Sequence, residues 1–341
     1  MQPVNVALVG YGLGGRVFHA PLIAGVEGLR LKAVVSSRKA AIAKEHPEVA
    51  VLATADEAIR DPAIGLIVVT TPNDSHFDIA AKALAGGKHV VVDKPMTCTS
   101  AEARELIARA RQAGRLLTVY HNRRWDSDFL TLKRLIAEGA LGEIVAFESH
   151  FDRYRPQVGG GWRERAGPAT GTWYDLGSHL IDQMLQLFGR PRAVTAELAN
   201  QREGAVTTDA FRATFDYEGL QAVLVGSSLA VSHDLRFIVR GTRASFVKHG
   251  LDPQEEFLRA GGRPQDCGPD PRPGRLVLPD GTEQAVPPAR GDYRRYYEGL
   301  RDTLAGWRPV PVIADEGLAV LELLEAGEAS STGRSTIALG S

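Results

Sequence analysis

Three short segments hold residue types and spacings that can do chemistry. Gly10-Tyr11-Gly12-Leu13-Gly14-Gly15 follows an apolar run, Val4 to Val9, and leads into a helix-like stretch. Gly10, Gly12 and Gly15 therefore meet the G-x-G-x-x-G spacing in a strand-turn-helix context. The first glycine permits the tight turn, the second lets backbone approach a pyrophosphate, and the third lets helix and strand pack closely. The helix N-terminus then favours the anion. A ligand-free glycine turn would leave the alternating strands around it unexplained. About 20 residues further on, an NAD site places an acid against the ribose hydroxyls. Here the second apolar run ends in Val35-Ser36-Ser37-Arg38-Lys39, without a carboxylate. Two hydroxyls and two cations suit a 2′-phosphate, and Arg38 can bind it bidentately and stack on adenine. The expected cofactor is NADP, with NAD as the alternative.

The second segment is Asp93-Lys94-Pro95, at the end of the run His89 to Val92. Ligands of open α/β sheets lie outside the carboxyl ends of strands, which aims Lys94 at the cofactor. The third, Trp173-Tyr174-Asp175-Leu176-Gly177-Ser178-His179, begins a helix in which Asp175 and His179 are four apart and share a face. A carboxylate and an imidazole so placed form an orienter and a base, although the same spacing also serves plain structural hydrogen bonds. No metal is required. The nine histidines are scattered without His-Glu-x-x-His spacing, and a Lys94 ammonium can stabilise alkoxide charge unaided. Cys98 and Cys267 are too few for a thiolate cluster and read as inert.

The apolar rhythm shows the framework on which these groups are mounted. Val4 to Val9, Leu29 to Val35, Ile64 to Thr70, His89 to Val92 and Leu116 to Tyr120 are continuous β-branched runs. They alternate with helix-like segments such as Asp74 to Ala85 and Ser100 to Ala113. That pattern predicts a parallel sheet covered on both faces. After Asn122 it changes to a helix at Ser127 to Glu138, followed by strands without intervening helices. Val145, Phe147, Ser149 and Phe151 share one face of the first. Others are expected at Ala193 to Leu198, Phe211 to Tyr217, Gln221 to Ala230, Leu235 to Arg240 and Ser245 to Lys248. This predicts an open antiparallel or mixed sheet. Gly261 to Gly291 reads as a long loop with one short hairpin strand, and helices at Asp292 to Leu304 and Asp315 to Ala326 close the chain. The fold class is α/β: a Rossmann dinucleotide-binding domain over 1–121 and an α+β domain for substrate binding and oligomerisation over 122–341.

Composition narrows the function classes. With 341 residues, 40 Lys+Arg against 41 Asp+Glu and a net charge of -1, the chain has no positive field to hold a nucleic acid. No apolar run approaches the ~20 residues that span a bilayer, and the N-terminus lacks a basic flank and cleavage site. A cytoplasmic enzyme is expected.

Taken together, these motifs resemble the Gfo/Idh/MocA oxidoreductase family over nearly the whole chain. The resemblance rests on the glycine motif, on Thr71-Pro72-Asn73-Asp74-Ser75-His76, on Gly87 to Val90, on Lys-Pro after an acid, and on the Asp-x-x-x-His helix. The acid is usually Glu; Asp93 is one methylene shorter. Tyr120-His121-Asn122-Arg123-Arg124-Trp125-Asp126, Ser245 to Lys248, Gly250 to Glu255 and Phe18-His19-Ala20-Pro21 look like the branch containing NADP-dependent scyllo-inositol dehydrogenases. The resemblance implies that Lys94, Asp175 and His179 are catalytic and converge on the nicotinamide. It adds Thr71, Pro72, Asn73, His76, Asp93 and Asn122 to the cofactor side, beside Leu13 and the glycines. His76 and His121 order that side rather than act as bases. Arg124, Trp125, Tyr154, Trp162 and Arg163 become substrate-lining residues. The substrate expected is a neutral cyclic polyol or sugar, best scyllo-inositol or its ketone, held on the flat faces of Trp125, Tyr154 and Trp162. Arg124, Arg155 and Arg163 could instead hold an acid, but Asp152, Glu164 and Asp175 lie near them in sequence and neutralise them. A homodimer or homotetramer is expected, since an open sheet needs cover. A non-catalytic nicotinamide sensor is disfavoured by the presence of Lys94, Asp175 and His179, and a methyltransferase by the Lys-Pro turn.

Overall fold

The computed structural model describes residues 3–340, and the chain divides into two compact units. In the first, β1 (Val4–Val9), β2 (Leu29–Val35), β3 (Ala50–Leu52), β4 (Leu66–Val69), β5 (His89–Val92) and β6 (Leu117–Val119) form one sheet. Its order is β3-β2-β1-β4-β5-β6, and every pair is parallel. The continuous apolar runs are explained by burial: Val6 to Val9, Leu66 to Val69 and Val90 to Val92 are all inaccessible to solvent or nearly so. Crossovers supply α1 (Ala20–Ala24), α2 (Lys39–Glu45), α3 (Ala55–Arg60), α4 (His76–Ala85) and α5 (Ser100–Ala113). The start of α5 is fixed by a Thr99/Glu102 capping box and its end by Gly114 at φ +60°. Strand order reverses between β1 and β4, so the crevice of this Rossmann sheet opens where Val9 and Val69 end. The short elements β3, α2 and α3 have no clear apolar period, and α2 buries only Ile42.

The second unit contains β7 (Ile144–His150), β8 (Ala193–Ala199), β9 (Ala210–Asp216), β10 (Gln221–Ser227), β11 (Leu235–Gly241), β12 (Ser245–His249), β13 (Gly274–Val277), β14 (Glu283–Val286) and β15 (Ile337–Ala338). Their order is β14-β13-β12-β11-β7-β10-β9-β8-β15, with β7 and β10 parallel and the other pairs antiparallel, a mixed sheet. The Pro/Gly-rich stretch holds a two-stranded hairpin, not one strand. Gly281 at φ +85° makes its turn, Asp280 accepts from the Thr282 N–H, and Arg275 pairs with Glu283. Phe147, Phe237 and Phe246 are fully buried in this unit, to which α6 (Ser127–Ala137) and α7 (Ser178–Phe188) belong.

A division at 121/122 would place everything after it in one domain. Packing instead gathers α8 (Gln254–Arg259) and α9 (Arg294–Leu304) into the first unit. Tyr296 of α9 and the Val312 carbonyl both bond Thr118 of β6, at 3.1 and 2.6 Å, and Tyr296, Tyr297 and Leu300 are fully buried. An amphipathic face is visible in sequence; which sheet covers it is not. The last helix, α10 (Ala314–Gly333), begins in the first unit and ends in the second. No helix of the described residues is long and apolar enough to cross a membrane, and the described residues contain no cluster of metal-ligand type.

Candidate active site

In the first unit the glycine loop is built as its spacing requires. Gly10 sits at φ +103°, and a Cβ there would lie 2.9 Å from the Thr70 backbone; one on Gly15 would lie 2.3 Å from the Gly10 carbonyl oxygen. Around Gly12 nothing lies within 4 Å of a Cβ position, which leaves the approach that a pyrophosphate needs. The helix after the loop opens with a π-helical turn, Gly14–His19. Tyr11 of the loop donates to Glu45 at 2.8 Å, and Arg16 pairs with the same carboxylate at 2.7 Å. These contacts tie the loop to the end of α2, whose start carries Arg38 and Lys39. The Arg38 N–H donates to Ser36 Oγ at 3.1 Å, while Ser37, Arg38 and Lys39 are exposed. Among the described residues neither Arg38 nor Lys39 has a side-chain partner, which leaves both charges available to a 2′-phosphate. The residues fit a phosphorylated dinucleotide.

The other two walls are the turns after β4 and β5. Buried His76 joins them, with Nδ1 2.9 Å from the Pro95 carbonyl and Nε2 2.9 Å from that of Thr71. Burial holds its pKa below the ordinary value. Thr71 also takes a 2.7 Å hydrogen bond from Ser75, and Asn73 is buried in the same turn, which begins with Pro72. Lys94 is buried and joined to Pro95 by a cis peptide bond. Its backbone N–H donates to Asp93 Oδ1 at 2.8 Å. Asn122 is buried and opens a 3-10 turn, and His121 is buried beside it. Mainly through burial, Cys98 is pushed up to about 12, which leaves it inert as a nucleophile.

In the second unit, Trp173–Gly177 form a π-helical turn that runs into α7. The turn is held by Trp173, whose indole N–H donates to the Leu324 carbonyl at 3.0 Å and whose ring leaves no room for a Cβ on Gly177 or Gly327. A plain α-helical face does not describe the spacing of Asp175 and His179: Asp175 lies inside the π turn and His179 in the first turn of α7. The Asp175 carboxylate is bracketed by Arg163 at 3.1 Å and Arg153 at 3.6 Å. His179 is buried, and one turn further along α7 Asp182 receives Arg124 through Nε at 2.9 Å and Nη2 at 2.6 Å. Arg124 therefore anchors the helix that carries His179.

Trp162, Arg163 and Asp175 share a cavity of about 290 Å³, with Arg163 stacked 4.5 Å above the Trp162 ring. Arg124, Trp125, Tyr154 and His179 do not line it; Tyr154 is 52% exposed and Trp125 half-buried. Lining residues with no motif to announce them are Arg153, Gln157, Thr172, Thr207, Thr208 and Ser228. They come from four separate stretches, assembled partly by Arg202. That guanidinium pairs with Asp209 at 3.0 Å and Glu164 at 2.9 Å, and bonds the Arg155 and Gln157 carbonyls at 3.2 and 3.1 Å. Of the three acids expected to neutralise Arg124, Arg155 and Arg163, only Asp175 does so, at Arg163; Glu164 turns to Arg202 at 2.9 Å and Asp152 to His150 at 3.3 Å. Arg155, which also lines the cavity, has no ion pair among the described residues.

Comparisons with known proteins cover both units. Residues 4–121 match the domain described as oxidoreductase family, NAD-binding Rossmann fold, and residues 133–339 match oxidoreductase family, C-terminal alpha/beta domain. The uncharacterized oxidoreductase YdgJ of Escherichia coli (strain K12) is 49% identical, covering 98% of this chain and 99% of that protein. IolW of Bacillus subtilis (strain 168), a scyllo-inositol 2-dehydrogenase (NADP(+)), is 43% identical over 99% of this chain and 97% of its own length. The solved structure of the oxidoreductase YvaA from Bacillus subtilis superposes with a TM-score of 0.96 at 42% identity, covering 99% of each chain.

Proposed function

The chain belongs to the Gfo/Idh/MocA oxidoreductase family, and from that premise we propose that it is an NADP-dependent enzyme that interconverts a secondary alcohol and a ketone on a neutral, hydroxyl-rich ring. Scyllo-inositol and its 2-keto form are the best single match, in keeping with the name of the relative IolW. The observation that carries the neutral reading is where the arginine charges go. Arg124 is spent on Asp182, Arg163 and Arg153 on Asp175, and Arg202 on Asp209 and Glu164. What remains in the cavity is one arginine, Arg155, and an indole face together with Thr172, Thr207, Thr208, Ser228 and Gln157, groups that both donate to and accept from hydroxyls.

When bound, the nicotinamide gives or takes the hydride. His179 removes the hydroxyl proton during oxidation and returns it during reduction. The Lys94 ammonium stabilises the oxygen as negative charge develops on it. Asp175, fixed by two guanidinium groups, holds the π turn that presents His179 and offers carboxylate oxygens to a substrate hydroxyl. The cofactor is held by Gly10, Gly12, Leu13 and Gly15, by Ser36 to Lys39 at the 2′-phosphate, and by the Thr71-Pro72-Asn73 and Asp93-Lys94 turns with Asn122.

The test is NADPH oxidation with scyllo-inosose beside NADP reduction with scyllo-inositol, myo-inositol, glucose and an acidic sugar. The neutral ring should be preferred. Preference for the acidic sugar by more than about tenfold, or ~1.4 kcal/mol, would mean that Arg155 and its neighbours are ligands and the neutral reading is wrong.

The proposal extends to assembly. In the second sheet, Val223, Glu148, Ile238 and Val247 lie side by side across β10, β7, β11 and β12, on the face opposite Phe147, Val239 and Phe246. Such a row on an open sheet is covered in a homodimer or homotetramer. Light scattering at micromolar concentration should give a multiple of 36.8 kDa, and a monomeric mass would contradict the assembly.

A further inference from the structure

Phe18-His19-Ala20-Pro21 is unused by the chemistry above, yet His19 is completely buried, at the end of the π turn that follows the glycine loop. Its Nδ1 lies 2.6 Å from the Tyr297 hydroxyl of α9, and its Nε2 faces Asp93 Oδ2 at 3.8 Å. Tyr120 packs a tilted ring against the imidazole with centroids 4.2 Å apart, and Tyr296 meets Tyr120 edge-on at 4.9 Å. All of these residues belong to the first unit.

Asp93 sits at the centre of this group. One oxygen accepts the Lys94 N–H at 2.8 Å. The other lies 2.8 Å from where a Cβ on Gly14 would be, so the carboxylate fills the gap between the glycine loop and the Lys94 turn. Burial alone would raise its pKa, but the imidazole of His19 and the charge of Lys94 outweigh it and bring the group down to about 2. A carboxylate ionised in this position favours a proton on the facing nitrogen, Nε2. Nδ1 is then free to accept from Tyr297, whose burial keeps its phenol protonated.

We propose that His19 is a positioning residue: with Tyr297 behind it, the imidazole holds the Asp93 carboxylate between the glycine loop and the Lys94 turn. It thereby fixes where the dinucleotide and the lysine stand relative to each other. The inference rests on the dinucleotide reading of the glycine loop, and not on the identity of the polyol.

The experiment compares His19→Leu, His19→Gln and Tyr297→Phe. Each is measured for dinucleotide Kd by tryptophan fluorescence, for kcat and KM separately, and for its thermal unfolding midpoint. The dinucleotide is whichever of NADPH and NADH binds the unmodified protein more tightly. Leucine removes both polar contacts and should weaken binding about fivefold or more and lower kcat about tenfold, with substrate KM little changed. Glutamine offers an amide N–H to Asp93 and an amide oxygen to Tyr297, so it should recover most of both losses. A role in stability alone predicts a lower midpoint with unchanged Kd and kcat. A folded His19→Leu protein with wild-type Kd and kcat, or His19→Gln no better than leucine, overturns the proposal. Should the leucine variant not fold, Tyr297→Phe carries the test: it should weaken the dinucleotide about two- to threefold, and wild-type affinity would overturn the proposal. If no polyol is turned over, the substrate reading fails while Kd still decides this one.

Discussion

Alanine at His179 or at Lys94 is expected to lower turnover a hundredfold or more while leaving NADPH affinity within a few-fold of the unmodified protein. For His179 the magnitude follows from general acid-base catalysis, which contributes about 10² to 10⁴ in rate. The imidazole is buried in the first turn of α7, on a helix held by the bidentate Arg124–Asp182 pair, so its loss removes a positioned proton carrier that solvent does not replace. For Lys94, loss of a preorganised charge facing developing negative charge costs about 10² to 10³. The lysine is buried, and its turn is fixed by Asp93 and by the His76 bond to Pro95, so a flexible neighbour has no route to substitute. Asp175→Asn should fall between these variants and the parent. It keeps the shape of the side chain but leaves Arg163 and Arg153 without their counter-charge. Steady-state rates across pH, with Kd measured separately, make the comparison. A His179→Ala protein with full activity at every pH would remove the residue from the mechanism.

NADPH should bind more tightly than NADH, and Arg38→Ala should close most of the gap. A hydrogen bond to a charged group contributes about 1.5 to 3 kcal/mol, which corresponds to roughly ten- to a hundredfold in Kd. The guanidinium is exposed and makes no ion pair among the described residues, so binding a phosphate need not break one. Lys39 adds charge at the start of α2, while Ser36 is partly engaged by the Arg38 N–H. Exposure also makes the preference sensitive to salt: rising ionic strength should reduce it, because screening acts across about 10 Å at 0.1 M. Equal dissociation constants for the two cofactors in the unmodified protein would refute the role assigned to Ser36 through Lys39.

Both predictions depend on residues that stand in short local motifs, which is why they were legible. The glycine turn, the Ser-Ser-Arg-Lys strand end and the Asp-Lys-Pro turn each lie within a few residues of a strand terminus. A parallel sheet sends every carboxyl end to the same crevice. The long strands were equally clear, since burial on both faces demands the continuous apolar runs seen at Val6 to Val9 and Leu66 to Val69. Elements that bury little, such as β3 and α2, leave almost no pattern. The substrate side was legible only in part. Trp162, Arg163 and Asp175 do share a cavity, but Arg124 and Tyr154 do not line it. An arginine's charge and a tyrosine's ring show what each side chain can do, not which partner or direction it takes.

Residue order alone imposes whatever a local run can carry: a Rossmann sheet, the glycine turn after its first strand, and the lysine at the end of β5. Packing decided the rest. It brought α9 onto β6, so that Tyr297 meets His19 across 278 positions of chain, and it spent Arg124 on Asp182 and gathered Thr172, Thr208 and Ser228 around one cavity. The physical reason is that backbone geometry and strand burial act over a few residues. Ion pairing and cavity lining instead depend on which surfaces meet, and a buried charge takes whichever counter-charge packing brings within reach.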